Sequence, residues 1–385
     1  MTITPVPYNH MDGPSITTVL TTYKRPQLLR AAIISVLNQT YGNFKLCVYD
    51  DQSDDATESV VRTFAGIDGR ISYCRRPTRL GQAANYASSI AEITTEYFSV
   101  LADDDVLLPD FYKRSLEWFK AYPAALAVMG VTLIVDPVLN GVVGVSSAQV
   151  FPEGYASGPT AVELMINNTA PTWTGILFRR KVLDIIGPPD ETLEYLDYEF
   201  LLRFASRCSY VIHHTPVAMF TRHQGSVSYA LDPVHLFESH YAGAERLRDC
   251  LGDALHSVLL GRFDKLLIGL LAQQITAGDV SLARRTVRVA RESGMLGRAG
   301  PLSKAAVESF ERRPEFAVRC LRIAAKVRLR MQRRQSRTLS EYDPFVRVYD
   351  EIGFLAGGET GCGLAEGGAR PFERQHLNAR GRSSG

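Results

Sequence analysis

Several features that mark other protein classes are missing from this sequence of 385 residues. Its six cysteines, at positions 47, 74, 208, 250, 320 and 362, include no Cys-x-x-Cys pair and no zinc-site spacing, so a reducing compartment is the simplest interpretation. No apolar run reaches the roughly 20 residues that span a bilayer. The stretch Met1–Pro14 has neither a basic start nor an apolar run, so it is not expected to be a signal peptide. We therefore expect a cytoplasmic protein.

The sequence also has little net charge, +2 over the whole chain, but the charge is unevenly distributed. Between residues 281 and 340 basic residues outnumber acidic ones about fourfold. Within this region, segment 315–334 alternates Arg or Lys with apolar residues. One interpretation is a peripheral contact with the inner face of the membrane, and the other is a solvated arginine-rich face. No nucleic-acid-binding motif accompanies the charge, so no nucleic-acid partner is expected. The sequence leaves the oligomeric state open.

What is present is an alternation of short apolar runs with helical periods. β-rich runs occur at Ile16–Leu20, Phe44–Tyr49, Ile71–Cys74 and Tyr97–Leu101. Helical patterns follow them, starting near Pro26, Asp55, Gly81 and Pro109. This spacing predicts an α/β fold with a doubly wound, mainly parallel sheet. In such sheets ligands bind beyond the carboxyl ends of the strands, where polar and acidic residues follow three of these runs.

Composition divides the chain further. We expect a leader over residues 1–13, a catalytic domain over 14–232 and a helical, arginine-rich region over 233–345. The tail over 346–385 is rich in Gly, Arg, Ser and Glu, a composition that cannot build a core, so disorder is expected there.

Acidic residues gather at two predicted strand ends. Asp103, Asp104 and Asp105 follow one buried run directly, and Asp50 and Asp51 follow another. Adjacent carboxylates raise each other's pKa unless a cation neutralises them, and Mg²⁺ or Mn²⁺ suits carboxylate and phosphate oxygens. The alternatives are an exposed acidic turn for the first group and a helix-capping loop for the second.

These motifs, in this order and spacing, resemble the start of family 2 glycosyltransferases. The resemblance covers roughly residues 15–228, and any single motif in it is weak. It implies a GT-A, Rossmann-like mixed sheet followed by a mainly helical C-terminal region. The stretches that carry it are Thr18–Pro26, Ala32–Tyr41, Tyr49–Thr57, Gly81–Asn85 and Leu101–Pro109.

The resemblance also implies roles for individual residues. Thr21 and Tyr23 match the first nucleotide-binding loop, Asp51 the acid that reads uracil, and Asn85 a polar position that faces the donor. The acidic cluster matches the DxD-type motif. Ala102 stands where many members carry an acid, so the cluster is displaced by one residue. The implied assignment is therefore Asp103 to the nucleotide and Asp104 and Asp105 to the metal.

A second set of candidates lies on the acceptor side. Asp197, within a Glu194–Arg203 segment that resembles the family's Glu-Asp motif, matches the catalytic base, and the alternative is a helix-capping Asp. His223 is a candidate metal or diphosphate ligand, although a single His at a strand end is more often structural. Trp173 has two open interpretations, stacking on a sugar face or packing in the core.

The function implied is an inverting, metal-dependent transfer from a nucleotide-sugar donor, with UDP as the expected nucleotide. The acceptor implied is a glycan or a lipid-linked glycan, in bacterial surface polysaccharide synthesis. Two alternatives remain, a sugar nucleotidyltransferase and a catalytically silent nucleotide-sugar-binding module. A sugar nucleotidyltransferase needs a Gly-rich loop with a lysine after the first strand, which this sequence does not have. A silent binding module does not need both Asp104–Asp105 and Asp197, so the presence of both argues against it. A dehydrogenase is disfavoured because no G-x-G-x-x-G motif follows the first strand.

Overall fold

A computed structural model describes residues 13–137, 141–168, 170–223, 232–298 and 300–312 of the chain. The predicted basic contact at 315–334 and the tail at 346–385 lie outside the described residues, as does nearly all of the leader. The domain boundaries therefore stay predictions.

The first part of the chain alternates strands with helices, as its sequence pattern predicts. The strands are β1 (Ile16–Thr22), β2 (Phe44–Asp50), β3 (Ile71–Arg75), β4 (Tyr97–Ala102) and β5 (Val106–Leu107). The helices are α1 (Pro26–Leu37), α2 (Thr57–Ala65), α3 (Gln82–Ala91) and α4 (Phe111–Ala121). Every position of β1 is buried, which is typical of a central strand with both faces covered.

The following segment completes the sheet. Its strands are β6 (Ala127–Asp136), β7 (Gly141–Val145), β8 (Gly154–Ala156), β9 (Ile176–Arg179) and β10 (Tyr210–Thr221). Its helices are α5 (Gly158–Asn168), α6 (Lys181–Ile186) and α7 (Leu196–Arg207). Segment 141–158 thus contains two short strands, β7 and β8. β7 pairs with β6 and β8 pairs with β10, and both lie outside the main strand order. Their amino-acid pattern is therefore not that of a strand buried within the sheet.

The strands form one mixed sheet in the order β3-β2-β1-β4-β9-β6-β10-β5. The first four are mutually parallel, β9 runs antiparallel to both its neighbours, and β6 and β10 are parallel. In this register Thr21 lies beside Tyr49 on one side and Ala102 on the other. The ends of β1, β2 and β4 therefore meet at one edge, as the sequence predicts. The expectation of an α/β fold with a doubly wound mixed sheet is confirmed.

Helix α4 begins two residues later than Pro109, where its start is expected. The preceding residues are held by the sheet instead: Leu107 pairs with Ala218 across β5 and β10, and the Leu108 amide donates to the Val217 carbonyl at 2.8 Å. Pairing with a distant strand thus displaces a helix start that proline marks locally.

Beyond residue 232 the described chain is helical, as predicted. Its helices are α8 (Pro233–Arg246), α9 (Arg248–Thr276, bent at Gly252), α10 (Val280–Glu292), α11 (Met295–Arg298) and α12 (Pro301–Arg312). Helix α8 packs closely on α7, since a Cβ at Gly243 would lie 3.4 Å from the Glu199 Cβ. Within the part of the chain that the structure describes, none of the helices is long and apolar enough to cross a membrane.

A buried histidine in β10 makes the stability of the fold depend on pH. The His213 ring is fully buried and stacks on Trp118 at a centroid distance of 5.7 Å. Its Nδ1 accepts from the Thr215 amide, and its Nε2 has no hydrogen-bond partner among the described residues. Burial lowers the pKa of His213 from 6.5 to about 4, with a smaller lowering from Arg114 that Glu153 opposes.

Acidification below pH 6.5 is therefore expected to destabilise the protein. The unfolded chain binds a proton on His213 near pH 6.5, whereas the folded chain resists it until about pH 4. The free energy of unfolding should fall over that interval by up to about 3 kcal/mol from this residue alone. Urea unfolding of the parent and of His213→Gln at several pH values measures the effect. Equal pH dependence in the two proteins would contradict it.

Candidate functional site

A cleft of about 600 Å³ opens at the sheet edge where β1, β2 and β4 end. Its lining brings together residues from distant parts of the chain, including all but one of the site residues predicted from the sequence. Those in the lining are Thr21, Tyr23, Asp51, Asn85, Asp103, Asp104, Asp105 and Asp197. His223 is the exception, and it reaches the cleft through Asp104, whose Oδ2 lies 3.2 Å from its Nε2.

Asp103 faces the loop that follows β1. Its Oδ2 accepts from the Thr22 hydroxyl at 2.8 Å and from the Tyr23 amide at 3.4 Å. Its Oδ1 lies 3.2 Å from Nη1 of Arg25. The first acid of the cluster thus fixes the predicted nucleotide-binding loop against the end of β4.

Asp104 is positioned by two potential cations. Its Oδ2 accepts from Arg25 Nη1 at 3.1 Å and contacts His223 Nε2 at 3.2 Å. The Asp104 side chain is 11% exposed, so one edge of the carboxylate remains open to the cleft. Of the three acids, this one has the surroundings best suited to share a bound ion or a diphosphate.

Asp105 has a different environment. Its Oδ2 accepts from the Thr174 hydroxyl at 2.5 Å, and its Oδ1 accepts from the Thr221 amide at 3.1 Å. These contacts tie the end of β4 to the loop before β9 and to the end of β10. Both oxygens are engaged in holding the cleft together, which makes Asp105 less available than Asp104 as a metal ligand.

The three adjacent carboxylates disfavour one another's charge. Burial, together with Asp104, raises the pKa of Asp103 to about 6 against the opposing effects of Arg25 and Thr22. Burial and Asp104 also raise the pKa of Asp105 well above its usual range. The raised pKa values show that the charged forms of Asp103 and Asp105 are poorly compensated here, so a cation that stabilises them would be bound favourably.

The protein offers few metal ligands in this cleft, which suits an ion that is bound mainly by the phosphate oxygens of a ligand. Within the described ranges, no group of three or more His, Cys, Asp or Glu side chains is arranged to hold a metal ion. Asp104 and His223 nevertheless form a contacting pair of suitable ligands at the cleft. Mg²⁺ commonly takes only one or two protein carboxylates together with phosphate oxygens, and imidazole is an acceptable ligand for several divalent metals.

Asp51 and Asn85 both form hydrogen bonds with backbone groups of the protein. The Asp51 carboxylate accepts from the amides of Leu80 at 2.6 Å and Gly81 at 3.0 Å, just before α3. Gly81 has φ of +89°, a conformation that favours glycine. The Asn85 amide nitrogen donates to the Tyr49 carbonyl at 3.1 Å. These contacts hold the loop before α3 against the end of β2, and contact of either residue with a nucleotide stays a prediction.

Two arginines belong to the site although sequence reasoning did not select them. Arg25 bridges Asp103 and Asp104, and the Arg79 guanidinium lies over the Tyr23 ring at 4.2 Å from the centroid. Both line the cleft. Arg25 is part of the Lys-Arg-Pro motif after the first strand, so the motif itself carried the signal. Arg79 lies in a loop with no motif.

Asp197 lines the same cleft and lies in the first turn of α7. Its Oδ1 accepts from the Tyr198 amide at 2.9 Å. Burial raises the pKa of Asp197, and His240 opposes that rise. The i,i+4 ion pair on α7 is made by Glu199 and Arg203 at 2.7 Å, not by Asp197. The carboxylate of Asp197 is thus free of a helix salt bridge and faces the cleft.

Trp173 is a core aromatic that lines part of the cleft. Its ring lies nearly parallel to Tyr86 at 6.1 Å and to Phe200 at 5.4 Å between centroids, so two neighbouring rings already stack on it. The residue is 9% exposed. Stacking of a sugar on this ring, one of the two interpretations of the sequence, is therefore disfavoured. The indole Nε1 is buried and has no hydrogen-bond partner among the described residues.

Comparison with known proteins identifies relatives of this architecture. Residues 17–186 match the family model described as glycosyl transferase family 2. A GalNAc(5)-diNAcBac-PP-undecaprenol beta-1,3-glucosyltransferase of Campylobacter jejuni is 33% identical over 96 residues, 25% of this chain and 31% of that protein. Protein CgeD of Bacillus subtilis is 32% identical over 123 residues, 30% of this chain and 29% of that protein. The chain therefore spans about a third of the length of these two relatives.

The fold is shared with a solved structure. TarS 1-349 of S. aureus, in complex with UDP-GlcNAc, superimposes with a TM-score of 0.59 at 13% identity, covering 81% of this chain and 91% of that one. Identity this low shows the fold alone. The expected GT-A-type architecture with a helical C-terminal region is confirmed over that coverage.

Proposed function

Because the chain belongs, through residues 17–186, to glycosyl transferase family 2, we propose that it transfers a sugar from a nucleotide-sugar donor to an acceptor hydroxyl. The observation that carries the proposal is the shared cleft. Strand-end carboxylates from β2 and β4 line it together with Asp197 of α7. A cleft that collects these carboxylates suits the binding of a diphosphate and an acceptor hydroxyl in one place.

The donor is proposed to be a UDP-sugar, and the diphosphate to lie beside Arg25, Asp104 and His223. The complex of TarS with UDP-GlcNAc supports this choice of nucleotide. Arg25 offers a cation at the cleft, and Asp104 and His223 would hold Mg²⁺ or Mn²⁺. A bound ion would neutralise charge on the departing diphosphate. Asp51 and Asn85 would keep the loop before α3 in the shape that receives the base and ribose.

Asp197 is proposed to act as the general base. Its raised pKa makes it a stronger proton acceptor than an exposed carboxylate, and it lines the cleft that would receive the acceptor hydroxyl. A base that activates the acceptor on the face opposite the leaving group gives inversion at the sugar carbon. The proposed acceptor is a glycan or lipid-linked glycan in surface polysaccharide synthesis, in line with the undecaprenol-linked substrate in the name of the Campylobacter relative.

A panel of nucleotide sugars tests the proposal. The purified chain is mixed with UDP-, GDP- and dTDP-sugars, with Mn²⁺ or with EDTA, and thermal unfolding and release of the nucleoside diphosphate are both measured. A UDP-sugar with Mn²⁺ is expected to raise the unfolding temperature by a few degrees, because a ligand at about 100 times its Kd stabilises by about 2.7 kcal/mol. UDP should also be released.

Two other results have clear meanings. A thermal shift without release of UDP or sugar transfer would favour the silent binding module instead. Neither a shift nor release with any donor would reject a nucleotide-sugar function altogether.

A further inference from the structure

Helix α8, outside the sheet, holds the segment that carries Asp197. Nη1 of Arg246 donates to the Thr192 hydroxyl at 2.7 Å, and the Ser239 hydroxyl accepts from the Glu194 amide at 3.1 Å. Both contacts precede the first turn of α7. The helical region therefore determines where that turn lies.

His240, also on α8, contacts the two tyrosines that flank the proposed base. Its ring stacks on Tyr195 with 4.6 Å between centroids and meets the edge of Tyr198 at 5.4 Å. These two tyrosines stand on either side of Leu196 and Asp197. The imidazole thus packs against side chains on both sides of Asp197 in the turn that begins α7.

The orientation of this imidazole is set by its own helix. Nδ1 of His240 lies 2.9 Å from the Leu236 carbonyl oxygen, one turn earlier on α8. A carbonyl only accepts, so Nδ1 carries the hydrogen and Nε2 is the nitrogen that gains or loses a proton. The ring is held by one hydrogen bond and two aromatic contacts.

The charges of this histidine and of the aspartate act on each other. Burial raises the pKa of Asp197, and His240 lowers it. Burial likewise lowers the pKa of His240, while the Leu236 carbonyl and Asp197 raise it. The other ionisable groups facing the pair are Glu194 and Tyr195 from the loop, Tyr198 from α7 and Arg262 from α9.

We propose that His240 is a positioning residue for Asp197, one that holds the turn of the base and supplies its polar neighbour. The inference rests on the proposed function of Asp197. It extends the catalytic unit beyond the sheet, since a helix of the C-terminal region then contributes to the ionisation of the base. It also explains why an aromatic ring that carries a nitrogen occupies this position: the stack requires a flat ring, and an ionisable nitrogen near the half-buried carboxylate lowers the pKa of Asp197.

The substitution His240→Phe separates the two roles, because it keeps a flat ring and removes the nitrogen. The pH dependence of donor hydrolysis is measured for the parent, for His240→Phe and for His214→Phe, an exposed histidine outside the cleft. We expect the acid limb of kcat to move to higher pH by roughly half a unit or more in His240→Phe only, with KM for the donor within twofold. A uniform fall of kcat with an unmoved limb would overturn the inference.

A second measurement does not need turnover. The imidazole nitrogens of the eight histidines are followed by NMR as pH is varied, and His240 is assigned by its loss in His240→Phe. The pKa of His240 is expected to be lower in Asp197→Asn than in the parent. An equal pKa in the two proteins would overturn the inference, even if Asp197→Asn abolishes transfer. If the parent shows no turnover but the pKa of His240 differs between the parent and Asp197→Asn, the proposed function is rejected and the interaction of His240 with Asp197 is retained.

Discussion

Replacing Asp197 by asparagine is expected to lower kcat by about 10²–10⁴-fold while the donor Kd changes by less than twofold. Asparagine has the same shape and still accepts the hydrogen bond from the Tyr198 amide, but it does not take a proton. General-base catalysis supplies an acceleration of about this size. Calorimetry with the UDP-sugar gives the donor Kd, and release of UDP gives kcat.

Glu194 provides the comparison, because it is a carboxylate close to Asp197 in sequence that also lines the cleft. It is more exposed and contacts His235 at 3.2 Å. Glu194→Gln is expected to lower kcat by less than about tenfold, since an exposed rim charge contributes little. Normal turnover in Asp197→Asn, or a larger loss in Glu194→Gln, would transfer the role of base to another group.

Replacing Asp104 by asparagine is expected to weaken donor binding about tenfold or more, and only when Mn²⁺ or Mg²⁺ is present. The neutral amide keeps a polar contact to Arg25 but loses the charge that would hold the ion with His223. The experiment is a donor titration by calorimetry, carried out with the metal and again with EDTA. Circular dichroism at each condition shows whether the fold is intact.

The matched control is Asp184→Asn. Asp184 forms an exposed i,i+4 pair with Arg180 on α6 and lies outside the cleft. Its replacement should leave donor binding unchanged with and without metal. Equal donor affinities for Asp104→Asn and the parent in the presence of metal would remove Asp104 from the metal site.

The placement of the acidic cluster at the end of β4 was predictable from local sequence. A buried run of five residues followed by three acids marks a strand end, and parallel strands direct their carboxyl ends to one edge. The partners of each acid were not predictable. Thr174 and Thr221 reach Asp105 from 69 and 116 residues away along the chain, through strand pairings with no local signature.

Trp173 and Arg79 illustrate the same limit. A tryptophan beside a polar loop has similar sequence signals whether it stacks on a sugar or packs in a core, and only the neighbouring rings of Tyr86 and Phe200 distinguish the two. Arg79 has no pattern around it, and it enters the site because the loop before α3 turns back over Tyr23. Contacts between distant segments decide such cases.

By itself, the sequence determined the alternation of strands and helices, the edge of the sheet where the acids gather and the helical character of the region after residue 232. These properties depend on periodicity and on neighbours along the chain, which local sequence encodes. Only the tertiary structure decided which acid faces the cleft, which acid braces it and which helix supports Asp197. Those outcomes depend on packing between segments that are far apart in sequence, and the 42 residues between Asp197 and His240 carry no local signal that the two lie close together.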